Sequence, residues 1–340
     1  MKALVTGGAG FVGSHVVRRL VTDGVDVRVL HLAREDLSNL RGIKYEPFAG
    51  DLTDADAVTK AVKGCDWVFH VAALYALWVA DPQRMWDVNV EGTRNIMRAA
   101  EQEGVRRVIH TSTVGVFGGH GPDVDATERS DFGLRATGDL YCLSKYGAHK
   151  VALEFASRGL DVVIAAPCGP VGPGDIAPTP TGRFLLSMVN LPVCMAVNMV
   201  GNWIDVRDLA VGHVLAATKG RAGESYILGN ENRQYRDVAA SVIGIAGLRK
   251  PIVTLPNTPL GLFARADVLW SNYITHRAPI ITPEVVAIQK LGLRADCTKA
   301  FAELGLSCTP LETSFRDALI WFAQNGYIKN RRAARNLVAD

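Results

Sequence analysis

Lys2-Ala3-Leu4-Val5-Thr6-Gly7-Gly8-Ala9-Gly10-Phe11-Val12-Gly13 opens the chain, and its reading decides the fold. Residues 2–6 read as a short buried strand. Glycines follow at 7, 10 and 13, and then a helix from about Val12 to Asp23. Glycine permits a tight turn and lets backbone N–H groups approach a pyrophosphate, toward which a helix N-terminus presents partial positive charge. Gly7, Gly10, Phe11, Val12 and Gly13 are the expected dinucleotide contacts. The competing reading is a glycine-rich turn without a ligand. Val25–Leu30 reads as the second strand, which completes a βαβ opening.

Outward from there, strand-like runs recur at Lys44–Pro47, Trp67–Val71, Val108–Thr113 and Val162–Ala166. Helical runs at 54–63, 82–103 and 139–158 lie between them. This alternation predicts an α/β fold with a doubly wound parallel sheet of the Rossmann type. After Pro167 the texture changes to breaker-rich segments, Gly169-Pro170-Val171-Gly172-Pro173-Gly174-Asp175 and Pro178-Thr179-Pro180-Thr181-Gly182. Helical stretches follow near 183–190, 205–219, 235–246, 283–290 and 310–325. The expected division is a dinucleotide-binding domain over 1–170 and a smaller, mainly substrate-binding lobe over 171–328. Part of that lobe rejoins the first domain, and a basic tail covers 329–340.

Composition fits this plan. Of 340 residues 48% are hydrophobic and 21% charged, so a substantial core is expected. A net charge of +3 gives no global reason to expect nucleic acid. Cysteines at 65, 142, 168, 194, 297 and 308 form no C-x-x-C pair and no metal-ligand spacing. They read as free thiols in a reducing cytoplasm, and no metal is expected. No secretory leader and no apolar run of the ~18 residues needed for a span is read.

Within the first domain, Asp51-Leu52 suits a carboxylate reaching an adenine amino group, or else a surface Asp capping the helix that starts near Asp54. Val71-Ala72-Ala73 suits close backbone packing along the cofactor. No acid ends the second strand, where a ribose 2′-OH would be read. His31 and Arg34 could meet a 2′-phosphate there, so NADP(H) is favoured over NAD(H); Arg34 also fits a solvated loop.

Tyr141 and Lys145 lie one turn apart on one helical face. A Tyr phenol can exchange the proton of an alcohol or ketone, but its ordinary pKa is ~10. A nearby ammonium and an oxidised nicotinamide would favour phenolate; bringing it near neutrality takes roughly 4 kcal/mol. Lys145 can also bond the nicotinamide ribose. Thr113 supplies a hydroxyl to orient the substrate oxygen, with Ser112 as the neighbour that could take its place. Asn89 either holds Lys145 through water or backbone, or is a buried polar residue bonding the next strand. Pro167 completes the cofactor-facing set with Tyr141 and Lys145.

Together, Thr6–Gly13, Asp51-Leu52, Asn89-Val90-Glu91-Gly92-Thr93, Thr111-Ser112-Thr113, Tyr141-x-x-x-Lys145 and Trp203-Ile204-Asp205-Val206-Arg207-Asp208-Leu209-Ala210 resemble the extended short-chain dehydrogenase/reductase family. The resemblance implies Thr113, Tyr141 and Lys145 as a catalytic triad supported by Asn89, and a homodimer. Leu77-Trp78-Val79-Ala80-Asp81-Pro82 and Pro173–Arg183 resemble proteins labelled hopanoid-associated sugar epimerases, close to the dihydroflavonol reductase and 3β-hydroxysteroid dehydrogenase branch. Nucleotide-sugar enzymes of the superfamily usually carry an Asn after the sixth strand for the substrate diphosphate; Gly169 stands at that place.

The candidate substrate wall is apolar: Leu74, Tyr75, Trp78, Val116, Phe117, Leu186, Met188, Val189, Met195, Met199 and Trp203. Each of these also fits core or lobe packing. As a group they predict an apolar small-molecule substrate. The expected activity is an NAD(P)-dependent oxidoreductase interconverting a secondary alcohol and a ketone on a sterol-, triterpenoid- or flavonoid-like skeleton. A nucleotide-sugar epimerase or dehydratase with tightly bound NAD is the alternative, and a catalytically silent dinucleotide sensor is a third reading. The basic run Lys329–Arg335 and the apolar Pro259–Arg265 admit a weak peripheral membrane contact, against a solvated tail and a packed helix.

Overall fold

The computed structural model describes residues 1–76, 78, 79, 81–254, 257–275, 279 and 281–339. Leu77 and Ala80 of the 77–82 motif lie outside the described residues. The strands are β1 Lys2–Thr6, β2 Asp26–His31, β3 Glu46–Ala49, β4 Trp67–His70, β5 Arg107–Thr111, β6 Val162–Pro167, β7 Gly169–Val171, β8 Cys194–Ala196, β9 Val200–Asp205, β10 Ser225–Leu228, β11 Glu231–Gln234 and β12 Ile252–Thr254. The helices are α1 Phe11–Thr22, α2 Ala55–Val62, α3 Pro82–Trp86, α4 Gly92–Gln102, α5 Leu140–Ser157, α6 Pro180–Asn190, α7 Val206–Lys219, α8 Tyr235–Ile245, α9 Asn257–Trp270, α10 Pro283–Leu291, α11 Leu311–Gln324 and α12 Arg331–Ala339.

Seven parallel strands form the main sheet in the order β10-β6-β5-β4-β1-β2-β3. Helices cover both faces, so strands such as Ala3-Leu4-Val5 and Val162–Pro167 are apolar on both sides. Val16, Val17 and Leu20 of α1 and Leu209 and Ala210 of α7 pack on Ala3, Val5, Phe69 and Ile109. Val58 of α2, Ile96 and Met97 of α4, and Val151 and Phe155 of α5 pack on Leu4, Val68 and Val108. Strand order reverses between β1 and β4, which opens a crevice at their C-terminal ends where ligands bind in such sheets. Beyond the sheet, α6, α8, α11 and α12 gather around Trp203 of β9 in a separate apolar cluster.

Several elements depart from expectation. The third strand starts two residues later, at Glu46. The fifth ends at Thr111, because the Thr113 side chain accepts from Gly115 N at 3.2 Å and turns the chain into a short helical turn. The 82–103 helix is broken by a π turn over Asp87–Glu91. The apolar 259–265 segment belongs to the longer helix α9. Residues 329–340, expected as a basic tail, are helical over Arg331–Ala339, with Ala333 and Leu337 buried in the α6/α8/α11 cluster.

Candidate active site

The turn after β1 is shaped by its glycines. Gly7 has φ +64°, and a Cβ there would lie 2.8 Å from the Ala72 Cα, so the turn and the loop after β4 approach backbone to backbone. A Cβ at Gly13 would lie 2.1 Å from the Gly7 carbonyl oxygen. Thr6 ties the two loops, its Oγ1 accepting from Ala72 N at 3.1 Å. Gly10 caps α1 without a side-chain bond, and the first turn carries no acid. The N–H groups of that turn therefore remain available to an anion. These features fit a dinucleotide pyrophosphate.

A cleft of about 630 Å³ runs from this turn to Tyr141 and beyond. Gly7, Gly10, Phe11, Val12, Gly13, His31, Asp51, Leu52, Val71, Ala72, Ala73 and Pro167 all border it, as the sequence predicts for the cofactor. Asp51 is already engaged: Oδ2 pairs with Arg84 at 2.7 Å and Oδ1 accepts from Thr53 N at 2.9 Å. Asp54, not Asp51, caps α2. Arg34 is exposed and stands outside the lining; Glu35 borders the cleft in its place, its Oε2 accepting from Leu32 N at 3.0 Å. The loop after β2 turns within three residues, which reverses the side that neighbouring side chains face.

Thr113, Tyr141 and Lys145 converge on the cleft. Asp139 starts α5 by accepting from Cys142 N at 2.7 Å, which sets Tyr141 in the first turn. Thr113 stands beside the Tyr141 phenol, close enough for its hydroxyl to favour the charged form slightly. Tyr75 packs on the same ring, with centroids 4.5 Å apart. Lys145 is buried, and its Nζ donates to the Thr111 carbonyl at 2.6 Å. Burial pulls Lys145 down to about 8. It also drives Tyr141 well above its ordinary 10, helped by Tyr75, Cys142 and Asp139. The expected lowering of Tyr141 is therefore not produced by the protein's own residues, because desolvation outweighs the effect of the Thr113 hydroxyl.

Asn89 sits in the π turn and makes no bond to Lys145. Its Oδ1 accepts from Leu74 N at 2.7 Å, and its Nδ2 donates to the Ser144 hydroxyl at 3.0 Å. It braces the loop after β4 against α5, so it reaches the Tyr141 turn through Ser144, whose hydroxyl bonds the Tyr141 carbonyl at 2.9 Å. A π turn that re-aims a polar side chain is a common device at functional sites.

The apolar wall dissolves on inspection. Leu74, Tyr75 and Gly169 border the cleft. Val116 and Phe117 are buried in a cluster with Ala166 and Ile227. Leu186, Met188, Val189 and Trp203 belong to the packing of the α6/α8/α11 cluster. Met199 is buried outside the lining, Met195 is exposed, and Trp78 is partly buried away from the cleft. Apolar residue type does not distinguish a cleft from a core. The substrate half is instead completed by Pro170, Thr179, Thr181, Asn202, Tyr235 and Leu293, residues that no local motif marks. Its threonines and Asn202 are bonded internally: Thr179 to Asp175 at 2.8 Å, Thr181 to the Pro170 carbonyl at 3.0 Å, and Asn202 to Asn232 at 3.0 Å.

The model of the NAD dependent epimerase/dehydratase family matches residues 3–229. Sterol demethylase protein B of Methylococcus capsulatus is 32% identical over 330 residues, covering 96% of this chain and 100% of that one. A 3-beta-hydroxysteroid dehydrogenase of Mycolicibacterium neoaurum is 35% identical over 330 residues, covering 92% and 88%. The crystal structure of gox2253 superposes with a TM-score of 0.85 at 38% identity, over 96% of this chain and 99% of that one.

Proposed function

The chain belongs to the NAD-dependent epimerase/dehydratase family of extended short-chain dehydrogenases/reductases and is an NAD(P)-dependent oxidoreductase; from that premise we propose that it interconverts a secondary alcohol and a ketone on an apolar, polycyclic substrate of the sterol or triterpenoid kind. One observation carries this reading. Among the described residues bordering the cleft only His31, Arg84 and Lys145 are basic, and none stands in the half beyond Tyr141. Among the described lining residues of that half a sugar diphosphate would meet no cation, and the threonines and Asn202 already have partners. Leu74, Tyr75, Pro170, Tyr235 and Leu293 offer contact area to a fused-ring skeleton. The names of the two relatives point the same way.

In this reading the glycine turn holds the pyrophosphate and Lys145 faces the nicotinamide ribose. The bound dinucleotide supplies or takes the hydride. Thr113 orients the substrate oxygen, and Tyr141, its phenol kept protonated by burial, is the proton donor for ketone reduction. The preference for NADP(H) expected from sequence keeps only His31 as support. Glu35 opposes a 2′-phosphate and could accept from a ribose hydroxyl, so the lining favours NAD(H).

A peripheral membrane contact would suit such a substrate, and apolar side chains stand exposed both within the 259–265 segment and in the residues that follow it. Leu262, Phe263, Leu269 and Trp270 of α9, then Tyr273 and Ile274, are each half exposed or more. No helix among the described residues is long and apolar enough to cross a membrane.

The test is a turnover screen with both cofactors against 3-hydroxysterols, cyclic triterpenols, flavonoid ketones and UDP-sugars, with Tyr141→Phe as control. Stoichiometric cofactor turnover with a cyclic alcohol or ketone, lost in Tyr141→Phe, is the expected result. Epimerisation of a UDP-sugar without net cofactor turnover would refute the proposal.

A further inference from the structure

Tyr141, Lys145 and His149 fall at four-residue steps on α5 and share one helical face. Three consecutive residues, the last of β5 and the two that follow it, each stand against one of them. The Thr111 carbonyl accepts from Lys145 at 2.6 Å, the Ser112 hydroxyl lies 3.1 Å from His149 Nδ1, and Thr113 borders the cleft beside Tyr141. Ser112 borders the cofactor and substrate cleft. His149 borders a second cavity, of about 830 Å³, with the Phe117 ring edge-on to it at 5.3 Å. The Ser112–His149 bond therefore spans the wall between two cavities.

We propose that Ser112 and His149 form a proton conduit from the cleft to the second cavity, serving the Tyr141–Lys145 pair. A bound dinucleotide, its ribose against Lys145, would by itself close the front route for the proton that each turnover exchanges. Through the conduit, a water in the cleft that has taken the proton of the Tyr141–Lys145 pair passes it to Ser112 as the Ser112 hydroxyl proton passes to His149 Nδ1. His149 releases the proton on Nε2 to water, so both residues end neutral, and reduction runs the sequence backwards. The second cavity suits the receiving end: Glu128, Glu224 and Glu303 face Arg129, Arg221 and Lys299 around it, a charged wall of the kind that water solvates. Burial, then the Lys145 charge, brings His149 down to about 4. Its ring is neutral at working pH, one nitrogen accepting while the other donates.

This inference rests on the reading of Tyr141 and Lys145 as the proton-exchanging pair. Its test needs no substrate. NAD⁺ is mixed with weakly buffered protein at pH 8; a pH-indicator dye follows proton release and tryptophan fluorescence follows binding. In the unmodified protein, release keeps pace with binding. In His149→Gln release lags binding by about tenfold or more, and added imidazole restores it. Leu153→Trp, which fills the second cavity from outside the conduit, slows release in the same way. Release that tracks binding in both variants overturns the conduit, as does an unmodified protein that binds NAD⁺ without releasing a proton. Failure to bind NAD⁺ or NADP⁺ at all would instead count against the cofactor reading.

Discussion

Lys145→Met should make the protein more stable at neutral pH and less stable at high pH. Burial lowers Lys145 from its ordinary 10.5 to about 8. Below pH 8 it is charged in both the folded and unfolded chain, and the folded state carries the full cost of burying the ammonium, roughly 3 kcal/mol. Between pH 8 and 10.5 the unfolded chain binds more protons, so the stability of the unmodified protein rises with pH and that cost fades. Methionine removes the cost but leaves the Thr111 carbonyl without the Lys145 bond, a loss of about 1–3 kcal/mol. The net is a gain of about 0–2 kcal/mol at pH 7, turning to a loss of about 1–3 kcal/mol near pH 10.5. The groups facing Lys145 do not titrate in this window. His70 is brought down to about 3 and His149 to about 4, burial holds His110 well below its ordinary value, and Tyr141 and Cys142 are held well above theirs. Urea unfolding of both proteins at pH 7, 8.5 and 10 measures the difference. A difference independent of pH would refute the assignment of Lys145 as a strained buried cation.

The remaining predictions concern the cleft and its surroundings. Gly13→Ala drives a Cβ to 2.1 Å from the Gly7 carbonyl, so α1 must shift; dinucleotide affinity by calorimetry should fall at least about tenfold, and an unchanged affinity would mean the turn does not hold the pyrophosphate. Asn89→Ala unpartners Leu74 N and removes the donor to the Ser144 hydroxyl, and should cost about 1–3 kcal/mol in urea unfolding; an unchanged midpoint would show that the brace is dispensable. Glu35→Gln should shift preference toward NADP⁺ by on the order of 1 kcal/mol, roughly fivefold, in competitive titration; no shift would remove Glu35 from cofactor choice. Trp270→Glu should weaken cosedimentation with phosphatidylglycerol-containing vesicles several-fold, and equal sedimentation would remove α9 from any membrane contact.

Much of the fold was legible because its signals are local. The sheet's strands run as apolar stretches between turn residues, and β1, β2, β4 and β6 fall within a residue of expectation. β3 slipped by two residues because Lys44 and Tyr45 extend the apolar-polar pattern ahead of it. Basic residues at 331, 332 and 335 suggested a tail, yet Ala333 and Leu337, four apart, supply a buried stripe. In the site, glycine spacing and Tyr-x-x-x-Lys needed only neighbouring residues to read. The wall did not: Trp203 and Leu74 are alike as sequence letters, and only one borders the cleft.

The sequence alone determined the βαβ opening, the glycine turn and the shared face of Tyr141 and Lys145, because each follows from backbone geometry over a few residues. The tertiary structure alone decided which apolar side chains border the cleft, which of Arg34 and Glu35 faces it, and what Asn89 holds. It also set the proton affinities of Tyr141 and Lys145. Burial is the reason: the dielectric around a side chain is built by segments far apart in the chain, such as the loops at 71–75 and 111–114, and it outweighs the nearest charges.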